Sequence, residues 1–314
     1  MGTPPAAANS LARLLSAGHE IKAVYTQPDR PSGRGKKIIF SPVKELAINH
    51  GIGVLQPTKI KTEEAFEEFR SFNAEVAVVV AYGRILPAPF LTAFPRGAIN
   101  VHFSLLPKYR GAAPVNWAIV NGEKETGVTT MKMDTGLDTG DILIQRSTVI
   151  GDDESAIELM ERLSVLGADA LIDTLGVLDA ITPIKQDDSL ASFAPILKKE
   201  DGLIDWSMSA VDIARRVRGF QPFPTSYAFH GASRLTVWKA IAAECDIDRT
   251  PGSVIEAAGD KLAIRCGQAT ALSITEIQPE GKRRMSVRDF LNGTRLHVGD
   301  VFTSTPSGMA HANE

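Results

Sequence analysis

Cysteine is scarce in this sequence: the 314 residues contain two, Cys245 and Cys266. Neither belongs to a CxxC pair or stands beside a histidine, so the sequence indicates neither a zinc site nor a disulfide framework. No apolar run approaches the roughly 20 residues that a membrane span requires. The chain also does not open with a basic segment followed by an apolar one. We therefore expect a cytoplasmic protein that has no metal and no membrane segment.

The sequence also lacks a strong excess of charge. Its formal net charge is −3, which excludes a basic coat over the whole protein but leaves room for a local basic patch. No GxGxxG turn follows an early strand, so a nicotinamide-binding Rossmann enzyme is disfavoured. The hydrophobic fraction of 44% is that of a globular protein, and the length allows two domains with separate cores.

Strand and helix patterns alternate between Ile21 and Ile181, which predicts a doubly wound α/β domain over residues 1–182. The continuous apolar run Glu75–Tyr82 predicts a strand buried on both faces and hence a parallel sheet. Residues 183–202 are polar, contain two prolines and are predicted to form a linker. In residues 203–314, short alternating strands separated by turn residues favour a small β-barrel domain.

The stretch Gly97–Asp141 contains the residues that suit catalysis. Asn100 and His102 are two apart in a predicted strand, so their side chains point to the same side. A second predicted strand, Thr126–Met133, leads into a turn-rich loop that contains Asp138. We expect the two strands to end side by side and to bring amide, imidazole and carboxylate together.

These three groups suit direct acyl transfer, because no serine or cysteine nucleophile is evidently paired with them. When an amine attacks a carbonyl carbon, the oxygen gains negative charge, to which Asn100 Nδ2 and a protonated His102 can donate. His102 can also relay the proton that the amine sheds, and Asp138 can orient the imidazole. Each signal alone also fits a structural role: a histidine that ends a strand, and a plain turn in the case of the aspartate.

The segment Gln27–Lys37 (QPDRPSGRGKK) is the most basic part of the first domain. Two prolines and two glycines predict an irregular loop. Its cations are Arg30, Arg34, Lys36 and Lys37, against the single acid Asp29. The sequence leaves two interpretations open, a solvated loop and a contact with a phosphate backbone.

Three motifs resemble a known family. They are Asn100–Pro107 (NVHFSLLP), Tyr109–Pro114 (YRGAAP) and Gly136–Asp141 (GLDTGD), which together look like the formyltransferases that use 10-formyltetrahydrofolate. Within that group, the basic loop and the trailing β domain resemble the methionyl-tRNA formyltransferases. The resemblance runs from Met1 to about Thr303 and implies a Rossmann-like formyltransferase domain followed by an OB-like β-barrel domain that binds tRNA.

The resemblance implies a role for each candidate residue. Asn100, His102 and Asp138 would be the catalytic trio. The folate co-substrate, 10-formyltetrahydrofolate, would lie against Ser104, Leu105, Leu106 and Pro107, against Arg84, Ile85 and Leu86, and against the Asp138 loop. The acceptor end of the tRNA would meet Arg30, Arg34, Lys36 and Lys37, Arg34 above all. The reaction would move a formyl group onto the methionine amino group of initiator methionyl-tRNA, without metal or nucleotide. We expect a monomer, since no long exposed apolar stripe is evident.

Two positions depart from the family pattern. Phe103 stands where glycine is commoner, which is tolerable if its side chain points away from the folate. Family members also open with a short apolar strand before the Met-Gly-Thr-Pro turn, whereas Met1 already belongs to that turn here. The sequence therefore predicts a gap between the Ile21 and Glu75 strands, with unpaired backbone groups and low stability. We hypothesise a start about five to seven residues upstream, the length of an average strand.

Two other functions remain open from the sequence. One is a folate-dependent formyltransferase or hydrolase that acts on a small amine or on water. The basic loop and the C-terminal domain disfavour it, because a small substrate needs neither. The other is an RNA-binding protein whose catalytic domain is idle because the central strand is absent. Formyl transfer to charged initiator tRNA, and the salt dependence of KM, distinguish the three functions.

Overall fold

The computed structural model describes residues 1–32 and 37–306. The chain forms two compact units, each assembled from separate segments. The first unit comprises Met1–Pro114, Glu125–Val149 and Glu158–Ala194. The second comprises Val115–Lys124, Ile150–Ile157 and the chain from Pro195 onward. Over the described ranges, no helix has the length and hydropathy of a bilayer-spanning segment.

Eight helices and seventeen strands are described. The helices are α1 (Pro5–Ser16), α2 (Pro42–Asn49), α3 (Glu63–Ser71), α4 (Ala88–Leu91), α5 (Pro114–Val120), α6 (Ala156–Val177), α7 (Ala210–Gly219) and α8 (Val287–Gly293). The strands of the first unit are β1 (Val24–Tyr25), β2 (Arg30–Ser32), β3 (Lys37–Ile39), β4 (Val54–Leu55), β5 (Ala77–Val79), β6 (Ala98–His102), β7 (Arg110–Gly111), β8 (Glu125–Lys132), β9 (Ile142–Val149) and β10 (Phe193–Ala194). Those of the second are β11 (Ser226–His230), β12 (Ser233–Glu244), β13 (Val254–Ala258), β14 (Lys261–Cys266), β15 (Thr270–Pro279), β16 (Met285–Ser286) and β17 (Phe302–Thr303).

Local sequence signals account for the ends of several helices. Ser41 caps α2, its hydroxyl accepting a hydrogen bond from the Lys44 amide at 3.2 Å, and Thr62 caps α3 in the same way. Apolar residues at helical spacing predict a helix over Ser10–Ala17, whereas α1 already begins at Pro5. Proline fits the first helical position because its fixed φ is helical and its missing N–H has no intrahelical partner there. The alanines that follow are the strongest helix formers.

The main sheet of the first unit has the order β5-β6-β8-β9. Strands β5 and β6 are parallel, which confirms the doubly wound α/β character of this unit. The predicted parallel pairing of the Glu75–Tyr82 strand holds for β5 with β6, while β8 and β9 run antiparallel to their neighbours, so the sheet is mixed. An apolar run reports burial of both faces, but it does not report strand direction.

A gap separates this sheet from the parallel pair β1-β4, as the sequence predicted for the Ile21 and Glu75 strands. Gly2 spans one end of the gap: its amide donates to Tyr25 O at 2.9 Å, and it forms a parallel bridge with Val80. The Met1 amino group lies buried beside it, donating to Val78 O at 2.6 Å, and burial lowers its pKa to about 5. The remaining space is a cavity of about 430 Å³ lined by both sets of strands and by α1.

The basic segment of the first unit is more regular than its sequence suggests. Strands β2 and β3 pair in an antiparallel ribbon with Arg30 opposite Ile39 and Ser32 opposite Lys37. The expectation of a wholly irregular loop over 27–37 was therefore wrong. Proline is tolerated in such a ribbon because each strand of a two-stranded sheet has an edge on which no N–H is required.

In the second unit, α7 and α8 accompany an antiparallel half-barrel sheet with the order β13-β14-β15-β12-β11-β17, where β16 also pairs with β15. A further antiparallel bridge joins Ser253 to Val301 and so links the two ends of the sheet. The inner face packs around buried side chains that include Ile213, Leu262, Ile264 and Phe302. The alternating strands of residues 203–314 predicted this β domain.

Burial makes the Cys266 thiol unreactive. Cys266 is fully buried in the core of the second unit, and desolvation raises its pKa to about 12. At pH 8 only about one thiol in 10⁴ is then ionised, compared with roughly a quarter for an ordinary cysteine. In a Cys245→Ser variant we expect Cys266 to react with a disulfide reagent at least about 10³-fold more slowly than in guanidinium-unfolded chain. Equal rates in the two states would contradict this burial.

Candidate active site

Strand β6 positions the first two candidate residues. It lies between β5 and β8, with Asn100 opposite Val79 on one side and opposite Met131 on the other. Since side chains alternate along a strand, Asn100 and His102 point to the same face. Asn100 is 9% exposed and His102 is 5% exposed. Both polar groups are thus held in a largely buried setting at the carboxyl end of a central strand.

The hydrogen bond of His102 defines which ring nitrogen is available. Its Nε2 lies 2.9 Å from the backbone oxygen of Tyr109. A carbonyl oxygen can only accept, so Nε2 carries a proton and donates it to Tyr109. The other nitrogen, Nδ1, lies 3.7 Å from Asp138 Oδ2. In the neutral ring Nδ1 is therefore the atom that can take up a proton, and the carboxylate stands next to it.

The residues on both sides of this imidazole have left-handed backbones. Tyr109 has φ +62° and Asp138 has φ +54°, a conformation that costs free energy for residues other than glycine. The Tyr109 amide donates to Ser192 Oγ at 2.9 Å, which helps to keep its carbonyl directed at His102. A left-handed backbone at a residue other than glycine persists only when surrounding contacts such as this hydrogen bond hold it.

The Asp138 loop reaches His102 by folding back across the sheet. Strand β8 is antiparallel to β6, with Lys132 opposite Ile99, so the loop leaves β8 at the end of β6 remote from His102. The sequence had placed both groups at adjacent strand ends, and this placement was wrong for the carboxylate. Glycine permits the close turn, because a Cβ on Gly140 would lie 1.8 Å from Lys132 O.

A second glycine fixes the Asp138 carboxylate. The amide of Gly111 donates to Asp138 Oδ2 at 2.8 Å. Gly111 has φ +124°, and a Cβ there would lie 2.6 Å from Ala194 O. Strand β7, which contains Gly111, pairs in parallel with β10 over Phe193–Ala194. The carboxylate is thereby anchored to a backbone that only glycine can form at this position.

Of the three candidate catalytic side chains, that of Asn100 is the one available to a ligand. Among the residues that the structure describes, none forms a hydrogen bond with its amide, although the side chain is largely buried. Buried polar groups in proteins almost always have partners. An amide in this state, on the same strand face as His102, is therefore suited to a ligand that supplies an acceptor oxygen.

The segment that follows β6 is held by β8. The Thr129 hydroxyl donates to Ser104 O at 2.6 Å and accepts from the Leu106 amide at 3.1 Å. Ser104 is fully buried and its hydroxyl donates to Lys108 O, while Leu106 packs against Met131 and Ile142. These two side chains serve the fold, so a ligand beside them would meet mainly backbone and the partly exposed Leu105 and Pro107.

The second predicted folate segment follows β5 and lies at the same end of the sheet, because β5 and β6 are parallel. The Arg84 guanidinium donates to Gln27 Oε1 and to the carbonyls of Pro57 and Thr58. Ile85 is 77% exposed, whereas Leu86 belongs to the core. Of these side chains Ile85 offers apolar surface to a ligand, and Arg84 shapes the loop.

Of the predicted tRNA contacts, Arg30 begins β2 and Lys37 begins β3. Arg34 and Lys36 lie outside the described residues, and the side chains of Arg30 and Lys37 do as well. The base of the ribbon is ordered by Asp29, which pairs with Lys44 and accepts from Gln56 Nε2 at 2.8 Å. Hydrogen bonds from Lys44 and Gln56 lower the pKa of Asp29. This acid therefore stays ionised and neutralises Lys44.

Sequence reasoning missed residues that organise the site. Thr129 lies inside the strand-forming run Thr126–Met133, and Gln186 lies in the segment interpreted as a linker; neither has a local signal. The YRGAAP motif contained Arg110 and Gly111, but no role was assigned to them.

No group of three or more potential metal ligands occurs in the described part of the chain. The cavity of about 430 Å³ is lined by other residues, so it is distinct from this site.

Comparison of the sequence with known proteins gives extensive matches. Residues 1–175 match the family model described as formyl transferase, and residues 196–295 match formyl transferase, C-terminal domain. A methionyl-tRNA formyltransferase of Caldanaerobacter subterraneus subsp. tengcongensis is 50% identical over 304 residues, which cover 96% of this chain and 98% of the relative. One of Geobacter metallireducens is 49% identical over 302 residues, covering 95% and 96%.

Solved structures share the fold at low identity. The N-formyltransferase from Helicobacter canadensis, in complex with folinic acid and dTDP-3-aminofucose, aligns with a TM-score of 0.65 at 20% identity, covering 87% of this chain and 96% of that one. HypX from Aquifex aeolicus aligns with a TM-score of 0.62 at 15% identity, covering 92% of this chain and 46% of that one. At these identities the similarity concerns the fold alone.

Proposed function

Because the chain belongs to the methionyl-tRNA formyltransferase family, we propose that it transfers the formyl group of 10-formyltetrahydrofolate to the methionine amino group of initiator methionyl-tRNA. This activity belongs to translation initiation. The observation that carries the proposal is the grouping, around the end of β6, of an amide that has no partner among the described residues, an imidazole with an available Nδ1 and an anchored carboxylate. We assign Asn100, His102 and Asp138 as its catalytic residues.

Asn100 stabilises the developing negative charge. When the amine attacks the formyl carbon, the formyl oxygen gains charge that a fixed N–H donor can stabilise. The Asn100 amide has no hydrogen-bond partner among the described residues, so binding this oxygen breaks no bond within the protein. Removing such a donor typically costs about 10²–10³-fold in kcat.

His102 handles the proton that the attacking amine must lose. Nδ1 is the free acceptor of the neutral ring, because Nε2 donates to Tyr109 O. The proton leaves the amine nitrogen as the new C–N bond forms, and it is delivered to the folate nitrogen as the old C–N bond breaks. Esterification of methionine to the tRNA lowers the basicity of its amine, so the neutral, nucleophilic form is accessible.

Asp138 keeps the imidazole in place while it is charged. Its Oδ2, 3.7 Å from Nδ1, offers a counter-charge to the imidazolium that forms after proton uptake. The hydrogen bond from the Gly111 amide at 2.8 Å fixes the position of the carboxylate. The carboxylate therefore acts on charge and orientation, and it does not form a bond to the substrate.

The formyl donor supplies the activated one-carbon group, and we assign two segments to it. Ser104, Leu105, Leu106 and Pro107 would line it mainly through backbone, since Ser104 and Leu106 use their side chains within the fold. The loop with Arg84, Ile85 and Leu86 and the Asp138 loop would complete the binding surface. These segments flank Asn100 and His102, so a ligand held by them presents its formyl group to β6.

A direct assay tests the proposal. Purified protein is mixed with 10-formyltetrahydrofolate labelled in the formyl group and with initiator tRNA charged with methionine, and labelled formylmethionyl-tRNA is counted. Uncharged initiator tRNA and free methionine serve as acceptor controls. Transfer to charged tRNA alone supports the function. Absence of transfer refutes it, and transfer to free methionine or to water instead would favour the small-acceptor activity.

Replacing Arg34 with alanine is expected to raise KM for the tRNA and to leave KM for the folate unchanged. The residue lies in the basic segment, where a cation that contacts phosphate adds to the salt dependence of binding. The slope of log KM against the logarithm of the salt concentration should fall by the amount that one phosphate contact contributes. The matched control is Arg70→Ala, an exposed arginine that pairs with Glu67 on α3. An unchanged tRNA KM in Arg34→Ala would remove this segment from the tRNA interface.

Two further properties belong to the same proposal. The tRNA contacts would come from Arg30, Arg34, Lys36 and Lys37 together with the OB-like C-terminal domain. We also propose that the protein acts as a monomer in the cytoplasm, where charged initiator tRNA enters translation. Light scattering during gel filtration measures the mass in solution, and a mass twice that of one chain would contradict the monomer.

A further inference from the structure

Gln186 is the most completely bonded side chain near the candidate site. It is 6% exposed and uses all the hydrogen-bonding capacity of its amide. Its Nε2 donates to the backbone oxygens of Asp138 at 2.8 Å and of Gly140 at 2.7 Å. Its Oε1 accepts from Arg110 Nε at 3.0 Å and Nη2 at 2.8 Å. It therefore joins the carboxylate loop to a buried arginine.

The chemistry of the partners fixes the orientation of this amide. A guanidinium can only donate and a backbone carbonyl can only accept, so Oε1 must face Arg110 and the NH₂ group must face the loop. Arg110 is itself 5% exposed and donates a further bond to Asp188 Oδ1 at 2.7 Å. Its rigid, planar donor set gives Gln186 a fixed support.

The side-chain carboxylate and the backbone carbonyl of Asp138 are thus both held by β7 and its partners. Its carboxylate accepts from the Gly111 amide, and its carbonyl accepts from Gln186, which is bound to Arg110. The left-handed backbone of Asp138, with φ +54°, requires such support. Releasing the carbonyl would let the residue relax and would move its carboxylate relative to His102.

On this basis we infer that Gln186 is a positioning residue for the proposed formyl transfer, holding the Asp138 loop against His102. It does not touch a substrate; it acts through the backbone of Asp138 and Gly140. The inference rests on the proposed function for its kinetic consequence. The contact between Gln186 and the loop can be tested without any activity.

Gln186→Glu is the variant that isolates this contact. The side chain keeps its length, and its carboxylate still accepts from Arg110. A carboxylate cannot donate, so it would face the carbonyls of Asp138 and Gly140 without a hydrogen between them. The matched control is Gln221→Glu in the second unit. Gln221 is also buried and donates from Nε2 to two carbonyls, those of Val217 and Trp238, each at 2.9 Å.

Hydrogen–deuterium exchange provides the readout that is independent of activity. In Gln186→Glu the amides of residues 136–141 are expected to exchange at least about tenfold faster, because the loop loses its attachment. In Gln221→Glu the same peptide should exchange at the wild-type rate. Unchanged exchange in the Gln186 variant would overturn the inference even if the wild-type protein had no formyltransferase activity.

A double-mutant cycle on kcat then tests the route through Asp138. Gln186→Glu should lower kcat about 10- to 10²-fold, the usual loss when a catalytic group is displaced by about 1 Å. In an Asp138→Asn background it should add less than about a threefold loss, because its effect passes through the missing carboxylate. Gln221→Glu should keep kcat within about twofold of wild type. Losses that multiply in the double variant, or an unchanged kcat in Gln186→Glu, would overturn the inference.

If Gln186→Glu does not fold, Gln186→Met replaces it in both measurements. Methionine has a similar length and volume and carries no charge, so it removes the bonds to the loop without adding repulsion. Far-UV circular dichroism establishes that either variant is folded. Wild-type protein without transfer activity would refute the proposed function, whereas active wild-type protein with a normal Gln186→Met variant would refute the positioning role.

Discussion

Replacing His102 with alanine is expected to lower kcat by about 10²-fold or more, the usual loss when a general base is removed. His102 is 5% exposed and its Nδ1 is the nitrogen not engaged by Tyr109, so the substitution removes the group assigned to accept the proton. The measurement is single-turnover transfer of labelled formyl to charged initiator tRNA. The affinity for tetrahydrofolate, measured by equilibrium titration, should change little.

The chain provides a matched control for this variant. In the second unit His230 Nε2 lies 3.7 Å from Asp300 Oδ2, the same separation as in the candidate site. His230→Ala removes an imidazole that lies at the same distance from a carboxylate and should keep kcat within about threefold. Added imidazole should also restore part of the activity of His102→Ala, since the lost group is a proton carrier. A near-normal kcat in His102→Ala would remove the catalytic assignment.

Replacing Asn100 with alanine is expected to lower kcat by about 10²–10³-fold while leaving stability almost unchanged. Both parts follow from the same observation, that its amide has no partner in the described protein and is on the face shared with His102. The substitution removes no hydrogen bond that the described residues form, so the temperature of unfolding should stay near that of the wild type. The charge that develops in the transition state loses its donor, and turnover falls.

Asn116 is the control for this variant, because its side-chain amide does have a hydrogen-bond partner. Its Nδ2 donates to Gly219 O at 2.7 Å within the second unit. Asn116→Ala should therefore lower the free energy of unfolding by about 1 kcal/mol and leave kcat near the wild-type value. Calorimetry and the transfer assay, applied to both variants, measure the contrast. Loss of stability without loss of turnover in Asn100→Ala would show that its amide has a structural role.

The local part of the site was predictable because strand periodicity is local. Asn100 and His102 are two residues apart, so any strand through them places both on one face. Helix caps such as Ser41 and the turn-separated strands of the C-terminal domain were predictable for the same reason, since their signals lie within a few residues of the structure they determine.

The remaining part depends on contacts that are distant in the sequence. The direction of β8 follows from pairing with β6, and an apolar run carries no information about it. Gln186 meets Asp138 across 48 positions, from a segment whose composition resembles a linker. Strands β2 and β3 pair although β2 contains Pro31, because an unpaired strand edge tolerates proline. Composition and spacing contain none of these facts.

The left-handed conformations of Tyr109 and Asp138 have a consequence for when the site is organised. Each costs on the order of 1–3 kcal/mol, and this cost is met when the chain folds. The imidazole between them is already oriented before any substrate arrives, so little of the affinity for methionyl-tRNA is consumed in arranging it. The free energy of unfolding is therefore lower than it would be without these conformations, and the site is preorganised before substrate binds.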